Sequence, residues 1–254
     1  MTDTRPPTLR LVLILMGAAI PGLIAATLGI PETLAAVAGV EVPDEPWWVY
    51  AASIVQTTAM VGLAAWGGAV LAPRVGLKAP AAEALARRQP VGPALRPQWV
   101  PGLLGGLAGT ALLVGVGALA PAEIAAVGER VQPSLAMRVL YGGITEEVLV
   151  RWGVMTALVA LLWRVSGRHG DRPAGWQVVG AILVSALLFG LGHLPIVSAM
   201  VETVTPSVVA YIVLGNGAFG ILAGWLYWRW GLESAILAHM GAHLGTAAIA
   251  ALLG

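Results

Sequence analysis

Residues 139–163 read VLYGGITEEVLVRWGVMTALVALLW, a stretch long and apolar enough to cross a membrane as one helix. A spanning α-helix needs about 20 mainly apolar residues, because the hydrocarbon core of a bilayer is about 30 Å thick. Three charged residues interrupt this stretch, namely Glu146, Glu147 and Arg151. On insertion scales a charged side chain at the centre of a membrane helix costs about 2.5–3.5 kcal/mol. We therefore expect these charges to have partners or a function.

The amino-acid composition is that of a polytopic membrane protein. The chain has 254 residues, of which 58% are hydrophobic and 11% charged, and its mean hydropathy is +0.84. Soluble domains carry about 25% charged residues. A net charge of +1 gives no reason to expect a nucleic-acid partner, and the absence of cysteine excludes disulfides, thiolate catalysis and cysteine-ligated metal. Abundant Ala, Gly and Arg with a single lysine is typical of a GC-rich bacterial genome, so we expect an integral protein of the bacterial inner membrane.

Hydropathy predicts an all-α fold, a polytopic transmembrane bundle of about seven helices. The predicted spans are residues 9–30, 46–72, 99–120, 135–165, 175–197, 206–230 and 232–253. The Pro- and Arg-rich loop 73–98 divides the chain into two parts. Residues 1–98 hold two spans and this basic loop, and residues 99–254 form a five-helix core that contains the motif region 135–250.

The charges of the loops predict the orientation of the bundle. Loop 73–98 carries five basic residues and one acidic residue, and loop 163–173 carries three arginines and one aspartate. The loops at 31–46 and 121–134 are acidic or balanced. Because cytoplasmic loops carry an excess of Lys and Arg, both basic loops should lie inside. The amino terminus is then predicted inside and the carboxyl terminus outside.

Two of the three charges in the first stretch can pair with each other. Glu147 and Arg151 are four residues apart, so on an α-helix they share one face, with the acid in the favourable amino-terminal position. Glu146 points about 100° away around the same helix and has no such partner there. A Glu–Arg pair one turn apart is often only a structural staple. Glu146 is therefore the carboxylate that is left for chemistry.

Three of the four histidines lie within predicted spans. Phe189 and His193 are four residues apart near the end of the fifth span, and His239 and His243 are one turn apart near the middle of the last span. We expect Phe189 to pack against neighbours, and a single membrane histidine often serves only as an interhelical hydrogen-bonding group. Two histidines on one helix face favour a functional site. Asn216 is expected to hydrogen-bond a neighbouring helix.

Three short motifs occur in a fixed order on successive membrane segments: EExxxR at 146–151, FxxxH at 189–193 and HxxxH at 239–243. Together they resemble the motifs of the CAAX prenyl endopeptidase and bacteriocin-processing protein (CPBP, or ABI) family of glutamate-dependent intramembrane proteases. Each motif alone is a weak signal, whereas all three in order in a polytopic chain form a fairly specific one. The resemblance covers residues 135–250.

The resemblance implies an intramembrane endopeptidase. Glu146 and His193 would activate the hydrolytic water, and Glu147 and Arg151 would hold the site in shape. Eukaryotic members of the family remove the last three residues from prenylated proteins, while bacterial members act more variously, in bacteriocin maturation, self-immunity and sorting-signal cleavage. The expected partners are membrane lipid and a membrane-associated protein or peptide substrate.

The third motif departs from the family at its last position, which is usually Asn in the prenyl-protease branch and is His243 here. The resemblance implies that His239 and its partner at this position stabilise the oxyanion. A histidine donates a hydrogen bond as an amide does, although its charge depends on pH. The change also creates the HxxxH spacing by which one helix face presents two nitrogens to zinc. A zinc metalloprotease with His193 as the third ligand and Glu146 as general base is therefore the alternative to an enzyme without a cofactor.

Two further function classes are compatible with Glu and His inside a membrane. Such residues mark proton relays, so a proton-coupled transporter is one alternative, although the sequence shows no inverted repeat and no paired broken helices. A non-catalytic immunity or binding protein that keeps the fold is the other. The complete set of motifs argues against it, because a chain without activity should tolerate the loss of at least one catalytic group.

Overall fold

The computed structural model describes residues 6–31, 47–167 and 170–253, and within these ranges every regular element is a helix. The elements are α1 (Thr8–Leu28), α2 (Trp47–Val75), α3 (Pro80–Ala86), α4 (Gly92–Gly117), α5 (Ala122–Arg130), the π segment (Met137–Met155), α6 (Thr156–Val165), α7 (Gly175–Gly192), α8 (Leu194–Met200), α9 (Pro206–Arg229) and α10 (Leu232–Leu253). Most of the predicted loop 31–46 and Arg168 of the second basic loop lie outside the described residues.

The seven predicted spans are confirmed as helices long and apolar enough to cross a membrane. The third span shows the largest difference in bounds, because α4 begins at Gly92 and not at residue 99. Pro93 lies in the first turn of α4, where a backbone N–H would have no partner within the helix, so a proline is tolerated there. The proline-rich stretch therefore belongs to the start of the helix and not to the preceding loop. The chain is an integral membrane protein built as a helical bundle.

The fourth span is not the regular α-helix that the sequence predicts. Met137–Met155 forms a π-helix, which continues as α6. In a π-helix the backbone hydrogen bonds join residues five apart, and such helices are rare outside single turns. The segment is apolar nearly all around, so its hydrophobic pattern has no clear period that could distinguish the two helix types.

The π segment lies at the centre of the bundle, where it packs against α1, α2 and α10. Thr145 donates a hydrogen bond to the backbone oxygen of Ala19 in α1 (3.2 Å), and the indole of Trp152 donates to that of Ala65 in α2 (3.1 Å). Both side chains are fully buried. These two bonds fix the segment against the amino-terminal helices and leave its remaining face toward α7, α9 and α10.

Glycines at four-residue spacing let the membrane helices approach closely. A Cβ atom added to Gly106 in α4 would lie 3.2 Å from Cα of Gly241 in α10, and one added to Gly220 in α9 would lie 2.9 Å from Cα of Ala186 in α7. Small residues permit this approach, which provides dispersion contacts where hydrophobic burial cannot drive association. The interhelical bond predicted for Asn216 is not found among the described residues, where its amide donates to the backbone oxygen of Ile212 within α9 (2.8 Å).

Contacts between loops show which loops lie at the same end of the bundle. The Arg172 guanidinium of the second basic loop lies against Gly76 of the first, so both basic loops are at the same end of the bundle, called here the basic end. The start of α10 is at this end too, because the backbone oxygen of Lys78 accepts a hydrogen bond from the amide of Leu232 (3.1 Å). At the opposite end Arg130 donates to the backbone oxygen of Met200 (3.1 Å). This division agrees with the predicted alternation of loops, and the inside location of the basic end stays a prediction.

Candidate active site

A buried ionic cluster joins two of the three sequence motifs. Glu147 contacts Arg151 with one carboxylate oxygen (Oε2 to Nε, 3.3 Å), as the spacing predicts. With its other oxygen it contacts Nδ1 of His239 in α10 (2.8 Å). All three side chains are buried. The second contact is between two helices, so spacing along the sequence could not reveal it.

Arg151 connects this cluster to α7 and α9. Its Nη2 donates to the backbone oxygen of Gly220 (3.4 Å), and its guanidinium lies 4.8 Å from the ring centroid of Phe189. A guanidinium over an aromatic face is attracted by the ring quadrupole. The Phe189 ring also meets the His193 ring edge-on, with centroids 4.8 Å apart, and the His239 ring at 6.3 Å. This residue of the second motif therefore packs as predicted and contacts residues of the first and third motifs.

Glu146 has different surroundings from its neighbour Glu147. Its Oε1 lies 3.9 Å from Nε2 of His193, and the two side chains remain 18% and 32% exposed. Nδ1 of His193 is 2.8 Å from the backbone oxygen of Phe189. A carbonyl oxygen only accepts, so Nδ1 must carry the proton, and Nε2 of the neutral ring is left as an acceptor directed toward Glu146.

The His239 and His243 rings form a pair on α10. They stack with their centroids 5.0 Å apart and their planes 28° apart. Nε2 of His243 lies 3.1 Å from the position that a Cβ atom would take on Gly142, and Nε2 of His239 lies 3.6 Å from it. Both nitrogens are therefore close to the backbone of the π segment, one turn before the two glutamates.

The contacts bring all seven residues singled out in the sequence into one cluster, formed by the π segment, α7 and α10. Residues 130–245 match the family model described as Type II CAAX prenyl endopeptidase Rce1-like. This region belongs to the CAAX prenyl endopeptidase family. It includes every residue of the cluster, and it confirms the resemblance on which the motifs were interpreted.

No solved structure matches the chain. Among curated proteins, the nonribosomal peptide synthetase inpB of Emericella nidulans is 34% identical over 85 residues. These residues are 33% of this chain and 4% of the synthetase, so the chain spans only a small part of that protein's length. Nothing about the activity follows from so short a match.

Four residues of the Rce1-like region contribute to the site but were not singled out in the sequence. Gly142 lies against both histidines of α10, and Phe219 lies 4.4 Å from the His239 ring. Tyr141 is within electrostatic range of Glu146. The fourth is Arg138, within electrostatic range of His243. Arg138 carried a signal, because it is a charge inside the predicted span 135–165. Phe219 is one of only two phenylalanines in the chain, which is no signal of a role.

The geometry does not favour the zinc alternative. Over the described residues, no three His, Cys, Asp or Glu side chains are grouped so that they could hold a metal ion. Nε2 of His193, the nitrogen that would have to bind the metal, faces Glu146 at 3.9 Å. A catalytic zinc ion needs about three protein ligands directed at one point.

Proposed function

We propose that this chain is an intramembrane endopeptidase that hydrolyses a peptide bond with a water molecule activated by Glu146. The observation that carries the proposal is the Glu146–His193 pair, whose facing atoms are 3.9 Å apart and whose side chains are partly exposed. Phe189 contacts both His193 and His239 and so connects this pair to α10. Membership of residues 130–245 in a family of membrane proteases supports it.

The separation between Glu146 and His193 suits a shared water molecule. At 3.9 Å the two atoms are too far apart for a direct hydrogen bond, and both are acceptors. A water between them can donate one hydrogen to each, which leaves an oxygen lone pair free for attack. Glu146 then takes the proton of the water as it attacks the scissile carbonyl carbon, and returns that proton to the leaving amine when the C–N bond breaks.

The developing oxyanion needs hydrogen-bond donors, which we assign to the α10 histidines. Nδ1 of His239 faces an acceptor carboxylate, so it carries a proton, and Nε2 donates only when the ring is doubly protonated. His243 has no side-chain hydrogen bond among the described residues and can donate as a neutral ring. His243 can thus take the place that the family usually gives to Asn.

Glu147 and Arg151 are assigned as positioning residues. The Glu147 carboxylate fixes the orientation of the His239 ring, and Arg151 holds Glu147 while it contacts α7 and α9. A carboxylate that accepts the N–H of a histidine fixes the tautomer and the orientation of the ring. The substrate class is a membrane-associated protein or peptide, and the proposed location is the bacterial inner membrane.

The test uses the purified chain in liposomes with a library of lipidated and unlipidated peptides, and mass spectrometry to detect the products. Cleavage should fall by about 10²–10⁴-fold in Glu146→Gln, the range that a general base contributes. Glu202→Gln removes an exposed glutamate at the end of the bundle opposite the basic end, outside the seven-residue cluster, and this variant should cleave at the wild-type rate. Turnover retained in a folded Glu146→Gln protein would reject the mechanism, and transport without cleavage would favour the transporter.

A further inference from the structure

A groove of about 310 Å³ lies between α2 and α6 at the basic end of the bundle, away from the candidate active site. Arg74 is in the last turn of α2 and Arg164 in the last turn of α6, and both side chains line the groove. Leu71, Ala157 and Leu161 form part of its wall. The groove therefore has a cationic rim and an apolar body.

The two arginines of the rim are available to a ligand. Both are exposed, and neither side chain has a hydrogen bond or an ion pair with a described residue. Two other arginines at this end are engaged, since Arg87 pairs with Glu83 (3.0 Å) and Arg229 lies over Trp225 and Trp228. The excess of basic residues on cytoplasmic loops would explain the charge of Arg74 and Arg164, but it would not explain the groove between them.

The body of the groove extends into the membrane. Ala157 precedes Arg164 by seven residues, so at about 1.5 Å per residue it lies roughly 10 Å deeper along α6. The Ala157 side chain is a single methyl group, and together with Leu71 and Leu161 it provides an apolar surface for a chain that descends from the rim. Trp163, which also lines the groove, is at the depth where indoles meet lipid headgroups.

We propose that the α2–α6 groove binds one anionic phospholipid. The guanidinium groups of Arg74 and Arg164 hold the phosphate with charge-assisted hydrogen bonds, and one acyl chain lies along Leu71, Ala157 and Leu161. Basic pockets between membrane helices recognise anionic headgroups in this way. A free anion would gain nothing from the apolar body, and a zwitterionic lipid would bring its own cation against the two arginines.

The test measures lipid binding to the purified full chain in neutral detergent by native mass spectrometry. The ligands are phosphatidylglycerol and phosphatidylcholine with identical acyl chains. We expect a preference for phosphatidylglycerol that falls about 30-fold in Arg74→Gln/Arg164→Gln. Arg10→Gln/Arg96→Gln, which removes two exposed charges outside the groove at the same end, should change it less than about 3-fold.

A second variant tests the apolar body without changing charge. Ala157→Phe fills the groove and should also weaken phosphatidylglycerol binding, while its folding, measured by thermal unfolding, stays at the wild-type level because the site faces lipid. Equal losses in the control variant, equal affinity for both lipids, or displacement of the lipid by millimolar inorganic phosphate would each overturn the proposal. The lipid-binding measurements on the arginine variants and on Ala157→Phe do not depend on protease activity.

Discussion

At the scale of single residues, two adjacent glutamates have opposite environments. Glu147 is fully buried between Arg151 and His239, while Glu146 is partly exposed beside His193. A buried carboxylate that contacts a guanidinium and an imidazole N–H is suited to fixing geometry. A partly exposed one that faces an acceptor nitrogen is suited to exchanging a proton with water.

The buried pair gives a prediction about stability. Arg151→Gln leaves Glu147 buried without its charge partner and should reduce the free energy of unfolding by about 3–5 kcal/mol. Arg87→Gln breaks a pair of the same i,i+4 spacing at the surface and should cost at most about 1 kcal/mol. Unfolding in mixed detergent micelles measures both values. Similar losses in the two variants would contradict the assigned role of Arg151.

The sequence predicts contacts within a helix far better than contacts between helices. The Glu147–Arg151 pair followed from a four-residue spacing, which holds Cβ atoms close on any regular helix. The Glu147–His239 contact depends on how the π segment meets α10, and no pattern within one helix encodes that. The three motifs indicated which residues belong together only through their resemblance to a family.

At the scale of elements, the site depends on the close approach of the π segment and α10. Gly142 and Gly143 have no side chains, and an added Cβ on Gly143 would meet Met240 backbone atoms at 3.2 Å. Hydropathy predicted the spans because burial in lipid demands length and apolarity. It could not predict the π-helix, which changes backbone hydrogen bonding without changing composition.

Gly142→Ala tests this approach. Its Cβ would lie 3.1 Å from Nε2 of His243, closer than nine in ten real Cβ contacts, so the His243 ring must shift by a few tenths of an ångström. We expect kcat to fall by up to about 100-fold, since small misplacements of catalytic groups are costly. Gly67→Ala, at a glycine with open space around it, should leave kcat unchanged. Peptide cleavage assays would show the difference, and equal rates in the two variants would refute the assigned contact.

At the scale of the whole molecule, the orientation in the membrane decides which side the site faces. Both basic loops lie at one end, and His193 follows α7 at the other. The positive-inside rule then predicts that the Glu146–His193 pair lies nearer the outer face. The alternation of basic and acidic loops was predictable from charge. The contacts that join the two basic loops at one end, and Arg130 to Met200 at the other, could be seen only in the structure.

Cysteine labelling tests this orientation directly, because the natural chain has no cysteine. Glu129→Cys, exposed at the opposite end, should react with a membrane-impermeant maleimide on intact cells. Gln89→Cys, exposed at the basic end, should react only after the membrane is permeabilised. The reverse pattern would mean that the bundle has the opposite orientation.

The most direct test of the central claim is a double-mutant comparison of kcat for Glu146→Gln, His193→Ala and the combined variant. If both residues act on one water molecule, the combined variant should be no slower than the slower single variant, because groups that act as a unit are strongly non-additive. If the combined loss equals the product of the two single losses, Glu146 and His193 act independently and the proposed shared water is wrong.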